Sequence, residues 1–503
     1  MFIKWLSFIF LFCFSLTSFA NNNENVTAKY FQFIQNNPEL LKIFIGKMPK
    51  GGDLHIHLLG ATYAENLINY GKNDGFCVRA KNSTLFYSKK CLTNYLLSNV
   101  AKGGKLYDKL IDDWSLKNFV PTSHESPHDH FFTAFFKFIP ILNKHGGDIL
   151  AELVTRARDE KVSYLELMVL PDFDIVLSLD KKIPWNNDFN IMRANLLKND
   201  IKKIETKIYK QTLMDEKIAE NKMGCFLDHH KNNCQVTVRY QYQSMRDISP
   251  KLTFAQLLVG FELATCYPDK FVGINIAGPE DNLLALRNYK LQMQMIAFLH
   301  VLYPKVKISL HAGELRLGLV PPEALRFHIN EALNIAHANR IGHGVDIAYE
   351  KNALQILQQM ENKHILVEIN LTSNAKILEI KGKSHPFMLY LSHKVPLALS
   401  TDDDGVLRTD MNHEFLQAAL TYHLSYLELK KLIRNSLTYS FLPGLSLWKN
   451  SARSMPVSSC SPDELKSGKL SQQCHAFLKK SKKAQLQWEL EKQFFQFESE
   501  IAK

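Results

Sequence analysis

Residues 271–344 read FVGINIAGPEDNLLALRNYKLQMQMIAFLHVLYPKVKISLHAGELRLGLVPPEALRFHINEALNIAHANRIGHG, and this stretch decides the fold. The short apolar runs FVGINIA (271–277), KVKISLH (305–311) and RIGHG (340–344) alternate with helical patterns at 282–303 and 321–338. That alternation is the mark of parallel βα units. Working outward, similar runs recur upstream as DLHIHL (53–58), SYLELMVL (163–170) and QVTVRYQYQ (235–243). Downstream they recur as HILVEINL (364–371) and VPLALST (395–401), after the helical pattern ALQILQQMEN (353–362). Eight strands interleaved with helices predict an α/β fold of the (β/α)8 TIM-barrel kind. An open doubly wound sheet would carry a Gly-rich turn after the first strand, and none follows His57.

The chain has 503 residues, 46% hydrophobic and 22% charged, which excludes wholesale disorder, a small disulfide scaffold and a polytopic membrane protein. Lysine and arginine exceed aspartate and glutamate by 61 to 50, a net charge of +11. The lysines are scattered, and the one tight cluster, Lys479-Lys480-Ser481-Lys482-Lys483, lies on a helical pattern as a solvated face. No nucleic acid polymer is therefore expected as a partner, while peripheral contact with an anionic surface suits the charge.

Residues 1–20, MFIKWLSFIFLFCFSLTSFA, place Lys4 before an unbroken apolar run and small residues Ser18 and Ala20 at its end. This is the pattern of a signal peptide cleaved after Ala20, and it predicts a secreted or periplasmic protein. The other reading, an uncleaved anchor, needs a somewhat longer apolar run. The organisation expected is a short helical segment over 21–50, the barrel over 51–450, and a C-terminal disulfide loop and helix over 451–503. Cysteine-bracketed insertions follow strands one and two, at about 71–95 and 188–234, the second holding a Lys-rich helix. In an oxidising compartment Cys77 pairs with Cys91, Cys225 with Cys234 and Cys460 with Cys474. Cys266, inside the apolar run FAQLLVGFELATCY, reads as an inert buried thiol.

Barrel enzymes build their sites from the C-terminal ends of the strands, and here those ends carry metal-ligating residues. Strand one delivers His55 and His57, which alternation points to one face. Strand five ends in His311-Ala312-Gly313-Glu314, strand six carries His343, and strand eight ends in Thr401-Asp402-Asp403-Asp404. His55, His57, His311 and Asp402 form the N/O ligand set of a catalytic Zn²⁺ that keeps a position for water. A dinuclear site would need a bridging group, commonly a modified lysine ending strand four. That strand ends Ile276-Ala277-Gly278, so one metal per chain is expected. Its chemistry would be to lower the pKa of a water from about 15.7 to near 7.

The segments MPKGGDLHIH (48–57), HFFTAFFKF (130–138), GINIAGPED (273–281), SLHAGE (309–314), RIGHG (340–344), EINLTSN (368–374) and LSTDDD (399–404) together resemble the adenosine deaminases, metal-dependent amidohydrolase barrels. The signal peptide and the cysteine-bracketed insert make the chain most similar to their secreted branch, the adenosine deaminase-related growth factors. The resemblance implies that His55, His57, His311 and Asp402 bind zinc. It implies that Glu314 holds a proton against purine N1 and that His343 orients the attacking water and accepts its proton. Asp403 would hold that water or the purine N7, and the Gly278 backbone would contact N3. Glu314 can be protonated at neutral pH only if it is buried or faces other carboxylates.

Three departures stand out. Leu58 and Leu59 occupy the place where adenosine-specific relatives carry a ribose-contacting aspartate. Asp404 replaces the usual proline and is expected to add a negative charge at the mouth. Only residues 21–50 precede the barrel, where the growth-factor branch has a long dimerisation segment; a homodimer remains open. The leading expectation is a zinc aminohydrolase taking a small-molecule purine nucleoside, adenosine or 2′-deoxyadenosine, to its inosine form with release of ammonia. A second keeps the chemistry and takes adenine or another 6-aminopurine. A third, from another class, is an inactive extracellular binding or signalling protein on the same scaffold.

Overall fold

Eight parallel strands follow one another around the barrel in chain order: β1 (Gly51–His57), β2 (Val162–Val169), β3 (Thr237–Met245), β4 (Phe271–Ala277), β5 (Lys307–Ala312), β6 (Arg340–His343), β7 (Leu366–Ile369) and β8 (Leu397–Leu399). This computed structural model describes residues 22–88, 91, 95–142, 144–171, 183–199, 201–225, 227, 235–450, 455–461, 464–465 and 468–503. The expected signal peptide at 1–20 and Cys234 lie outside the described residues. Every residue of β1, β2 and β4 is buried, as expected of a parallel sheet covered by helices. The barrel closes through a site residue. The Asp402 N–H donates to the His55 carbonyl at 2.9 Å, and the His57 N–H donates to the Asp402 carbonyl at 3.0 Å.

Two connecting helices match their expected patterns, Leu283–Leu302 and Ala353–Asn362. The first begins where the Asn282 side chain accepts from the Leu284 N–H, satisfying an orphan donor of the first turn. Two other expectations change. The pattern at 321–338 is a 3₁₀ turn, Pro322–Arg326, then a short helix, His328–Asn334, because Phe327 between them is non-helical at φ −149° and ψ −10°. The Lys-rich pattern at 188–222 is two helices, Phe189–Lys198 and Ile201–Met223, the first ending where Asn199 turns to φ −110° and ψ 62°.

The insertion after β1 has its own apolar cluster, including Leu67, Trp114, Phe131, Phe138 and Ile141. Val345, Val406 and Leu407, from the loops after β6 and β8, join the same cluster, so the insertion is seated on the C-terminal end of the barrel. Its aromatic helix, Pro127–Leu142, is tied down by His128, whose Nε2 lies 3.0 Å from Asp281 Oδ1. The N-terminal helices Asn22–Ile34 and Pro38–Lys47 meet the C-terminal helix Lys482–Ile501, with the Phe44 ring 5.0 Å from Phe497. No described helix is long and apolar enough to cross a membrane.

Cys77 is bonded to Cys91 and Cys460 to Cys474. Cys225 is also disulfide-bonded, while its expected partner Cys234 lies outside the described residues. Cys266 corrects an expectation: it is an exposed free thiol. Helix Pro250–Cys266 is buried nearly throughout, which is why its sequence reads as core, but Cys266 is its last residue and lies where the helix emerges.

Candidate active site

His55, His57, His311 and Asp402 converge as the strand-end pattern expects, with ligating atoms all within 4.8 Å of one another and all four residues buried. Asp402 Oδ1 lies 3.2 Å from His57 Nε2 and 3.5 Å from His55 Nε2. Each imidazole is held from behind. His55 Nδ1 meets Glu368 Oε2 at 2.7 Å, His57 Nδ1 meets Gln243 Oε1 at 2.7 Å, and His311 Nδ1 meets Asn275 Oδ1 at 2.8 Å. All three partners are acceptors, so each Nδ1 donates and each Nε2 keeps its lone pair for the centre.

The consequence is electrostatic. Two lone-pair nitrogens, His57 Nε2 and His311 Nε2, face each other at 3.1 Å, and His55 Nε2 is buried without a hydrogen-bond partner. Buried acceptors arranged this way repel unless a cation sits among them. Three imidazoles and one carboxylate, with their outer nitrogens fixed, fit a four-coordinate divalent ion such as Zn²⁺.

Glu314 and His343 lie beside this centre, with Glu314 Oε1 3.7 Å from His343 Nδ1. Burial, then the charges of Asp402 and Glu280, push Glu314 well above the ordinary carboxylate range. Glu280 also fixes its place: it accepts from the Gly313 N–H at 3.1 Å and the Glu314 N–H at 2.8 Å. His343 is pushed down to about 3 by burial and is neutral. A chain of hydrogen bonds sets its tautomer. The Phe387 N–H donates to His385 Nδ1 at 3.1 Å, and His385 Nε2 donates to Asn374 Oδ1 at 3.0 Å. Asn374 Nδ2 therefore donates to His343 Nδ1, at 3.0 Å. Asp403 is raised well above its usual range by burial and by the adjoining Asp402.

Local backbone makes this crowding possible. A Cβ on Gly342 would sit 2.6 Å from His55 Cε1, and one on Gly60 would sit 1.7 Å from Asp403 Oδ1, so both positions exclude a side chain. Asp402 and His343 are held in the left-handed region at φ 65° and 66°, a cost that the surrounding packing sustains. Gly278 lies just past β4 at φ 100°, near Asp247.

Asp404 requires a correction. It adds no open negative charge at the mouth, because it is buried and its Oδ2 pairs with Arg156 at 2.6 Å. Arg156 comes from helix Gly146–Asp159, whose Leu150, Leu153 and Val154 pack in the main barrel core just before β2, so the extra carboxylate ties the segment after β8 to that helix. The residues that sequence reasoning missed are the orienting ones: Glu368, Gln243, Asn275, Glu280, Asn374 and His385. A signal was available, since Asn275 and Glu368 are lone polar residues in otherwise apolar strands.

The adenosine deaminase family model matches residues 114–446. The adenosine deaminase of Clostridium acetobutylicum is 28% identical over 180 residues, 36% of this chain and 49% of the relative. That of Escherichia coli is 32% identical over 136 residues, 27% of this chain and 38% of the relative. The chain thus spans about half or less of the length of these curated relatives. Among solved structures, Arabidopsis ADAL complexed with IMP superposes with a TM-score of 0.52 at 21% identity, covering 81% of this chain and 95% of that one. An amidohydrolase from Burkholderia ambifaria with bound Zn gives 0.50 at 15% identity, covering 80% and 88%. These two likenesses show the shared barrel. The family match takes in His311, Glu314, His343, Asp402 and Asp403, while His55 and His57, which precede it, are carried to the same centre by β1. The chain belongs to the adenosine deaminase family.

Proposed function

We propose that this chain is an exported, zinc-dependent aminohydrolase that converts adenosine or 2′-deoxyadenosine to the inosine form with release of ammonia. The observation that carries the reading is the pairing of a ready cation site with a buried acid: three Nε2 lone pairs and Asp402 converge, and Glu314, its carboxyl pushed well above its usual range by burial and by Asp402, stands beside them. When bound, zinc makes a water nucleophilic at neutral pH. His343 is neutral, and with Asn374 donating to its Nδ1 its own proton sits on Nε2, so it orients that water as a donor and takes up the water's proton only at Nδ1, in place of the Asn374 hydrogen bond. Glu314 donates a hydrogen bond to purine N1, which draws electrons from C6 as the nucleophile adds there. Asp403 holds the water or the purine N7, and the Gly278 backbone meets N3. The amine leaves as ammonia once it is protonated, so one water is consumed for each purine converted.

Export is supported by the Lys4-led apolar segment ending at Ala20 and by the Cys77–Cys91 and Cys460–Cys474 bonds, since disulfides persist in oxidising compartments. A second substrate reading, adenine or another 6-aminopurine, is favoured by Leu58 and Leu59. Both are half-buried and lie against the insertion's apolar cluster, so they offer a ribose no carboxylate. Measuring kcat/KM for adenosine, 2′-deoxyadenosine, adenine and AMP separates these readings. A preference for adenosine or 2′-deoxyadenosine supports the first, and a preference for adenine overturns it.

A further inference from the structure

On the outer wall of the barrel, helix Ile201–Met223 lies against helix Pro250–Cys266. Glu205 comes from the first, and Glu262 and Cys266 stand one turn apart on the second, on one face. A carboxylate oxygen of each glutamate and the Cys266 sulfur all lie within 4.8 Å of one another. Glu205 is 6% exposed, and its buried Oε2 finds no hydrogen-bond partner. Glu262 is 8% exposed; its Oε1 accepts from the Tyr303 hydroxyl and lies 4.0 Å from Arg193, which leaves its second oxygen for another ligand.

Two desolvated carboxylates side by side are unstable as bare anions and must hold either a proton or a cation. Burial, then the charge of Glu262, pushes Glu205 up to about 7, so near neutrality little is needed to displace that proton. Cys266 gives the choice its chemical character. It is exposed and unbridged, so an ion reaches it from solvent; partial desolvation and the charges of Glu205 and Glu262 push its thiol up, so it binds as a thiolate where the cation displaces its proton. Magnesium and calcium prefer oxygen ligands alone, whereas two carboxylates with one thiolate suit a borderline divalent ion.

We propose that Glu205, Glu262 and Cys266 form a second, peripheral metal site that takes Zn²⁺ or a similar borderline divalent cation, with water completing the coordination. The catalytic centre keeps its single metal and shares no residue with this site. Three protein ligands, with Lys202 adding positive charge nearby, make the peripheral ion the weaker and more exchangeable of the two. Bound there, it bridges the two outer helices.

The test is to titrate Co²⁺ into the native zinc-loaded protein and follow thiolate-to-cobalt charge-transfer absorption. The catalytic ligands include no thiolate, and the other described cysteines are disulfide-bonded, so the band reports Cys266. A saturable band is expected, absent in Cys266→Ala and shifted to about tenfold or more weaker Co²⁺ affinity in Glu205→Gln. Deamination by both variants should match the native protein. The proposal is overturned if the native protein gives no such band, if the band survives in Cys266→Ala, or if Glu205→Gln binds Co²⁺ as tightly as the native protein.

Discussion

His57 Nε2 and His311 Nε2 face each other at 3.1 Å, and neither carries the proton that would make the contact a hydrogen bond. Their Nδ1 protons are committed to Gln243 and Asn275, at 2.7 and 2.8 Å. The barrel thus holds two acceptors in contact, in a place where water is scarce and Asp402 supplies negative charge. Such an arrangement persists only around a cation, which makes the metal part of the fold's energetics as well as of the reaction.

Removing that cation should therefore cost stability. Chelation is expected to lower the midpoint of thermal unfolding, and zinc should restore it in a concentration-dependent way, by linkage of folding to a ligand that binds only the native state. Scanning calorimetry of the chelated and reloaded protein checks this. An unchanged midpoint would mean that the four residues hold no ion.

Glu368→Gln keeps the shape of the group behind His55 but replaces a carboxylate that Arg340 and Ser309 also hold. Loss of an outer-shell carboxylate of this kind typically lowers metal affinity about 10- to 100-fold. Competition with a chromophoric chelator measures the change, and native affinity in the variant would remove Glu368 from the site.

Glu314→Gln should keep the metal and lose turnover by about 10²- to 10⁴-fold or more, because the amide cannot supply the acid proton to N1. Retention of a tenth of the rate would show that Glu314 is not the acid. The pH profile gives an independent reading. Activity needs Glu314 protonated, so kcat/KM should fall as pH rises through the elevated Glu314 pKa. On the acid side His343, at about 3, imposes no loss near neutrality. Activity that climbs steadily through the alkaline range would contradict the assignment.

Much of this was legible because strand-end chemistry in a parallel barrel depends on local sequence. DLHIHL fixes two imidazoles on one face by alternation alone, and HAGE and STDDD carry their ligands at the ends of apolar runs. The orienting partners depend instead on register between strands: Glu368 meets His55 across 313 residues of chain, and Gln243 meets His57 across 186. Asp404 misled for the same reason, since Arg156, which neutralises it, lies 248 residues away on the helix before β2. Cys266 misled because a helix apolar on every side gives no phase from which to tell its buried from its emerging end.

Asp404→Ala should leave Arg156 without its partner after β8 in largely buried surroundings. Breaking a buried pair from one side costs about 3 to 5 kcal/mol, with the lower figure apt here because Arg156 keeps Glu152 at 2.9 Å. Denaturant unfolding measures it. A loss under about 0.5 kcal/mol, the size usual for surface changes, would show that the pair does not tie the segment after β8 to the helix before β2.

Reducing the disulfides should lower thermal stability without releasing the metal, whose ligands include no thiolate. Loop-closure models give about 3 kcal/mol for a loop near 15 residues, and Cys77–Cys91 and Cys460–Cys474 each close a separation of 14. Peptide mapping without reduction should find Cys266 as the free thiol. Release of metal on reduction would contradict the ligand assignment.

The most direct measurement is ammonia release from adenosine by the purified protein in three states: as isolated, stripped of metal by a chelator, and reloaded with Zn²⁺. The account predicts one ammonia per inosine formed in the first state, loss of turnover in the second and its return in the third. Ammonia release that is indifferent to the metal, or no turnover of any 6-aminopurine by the zinc-loaded protein, would contradict it.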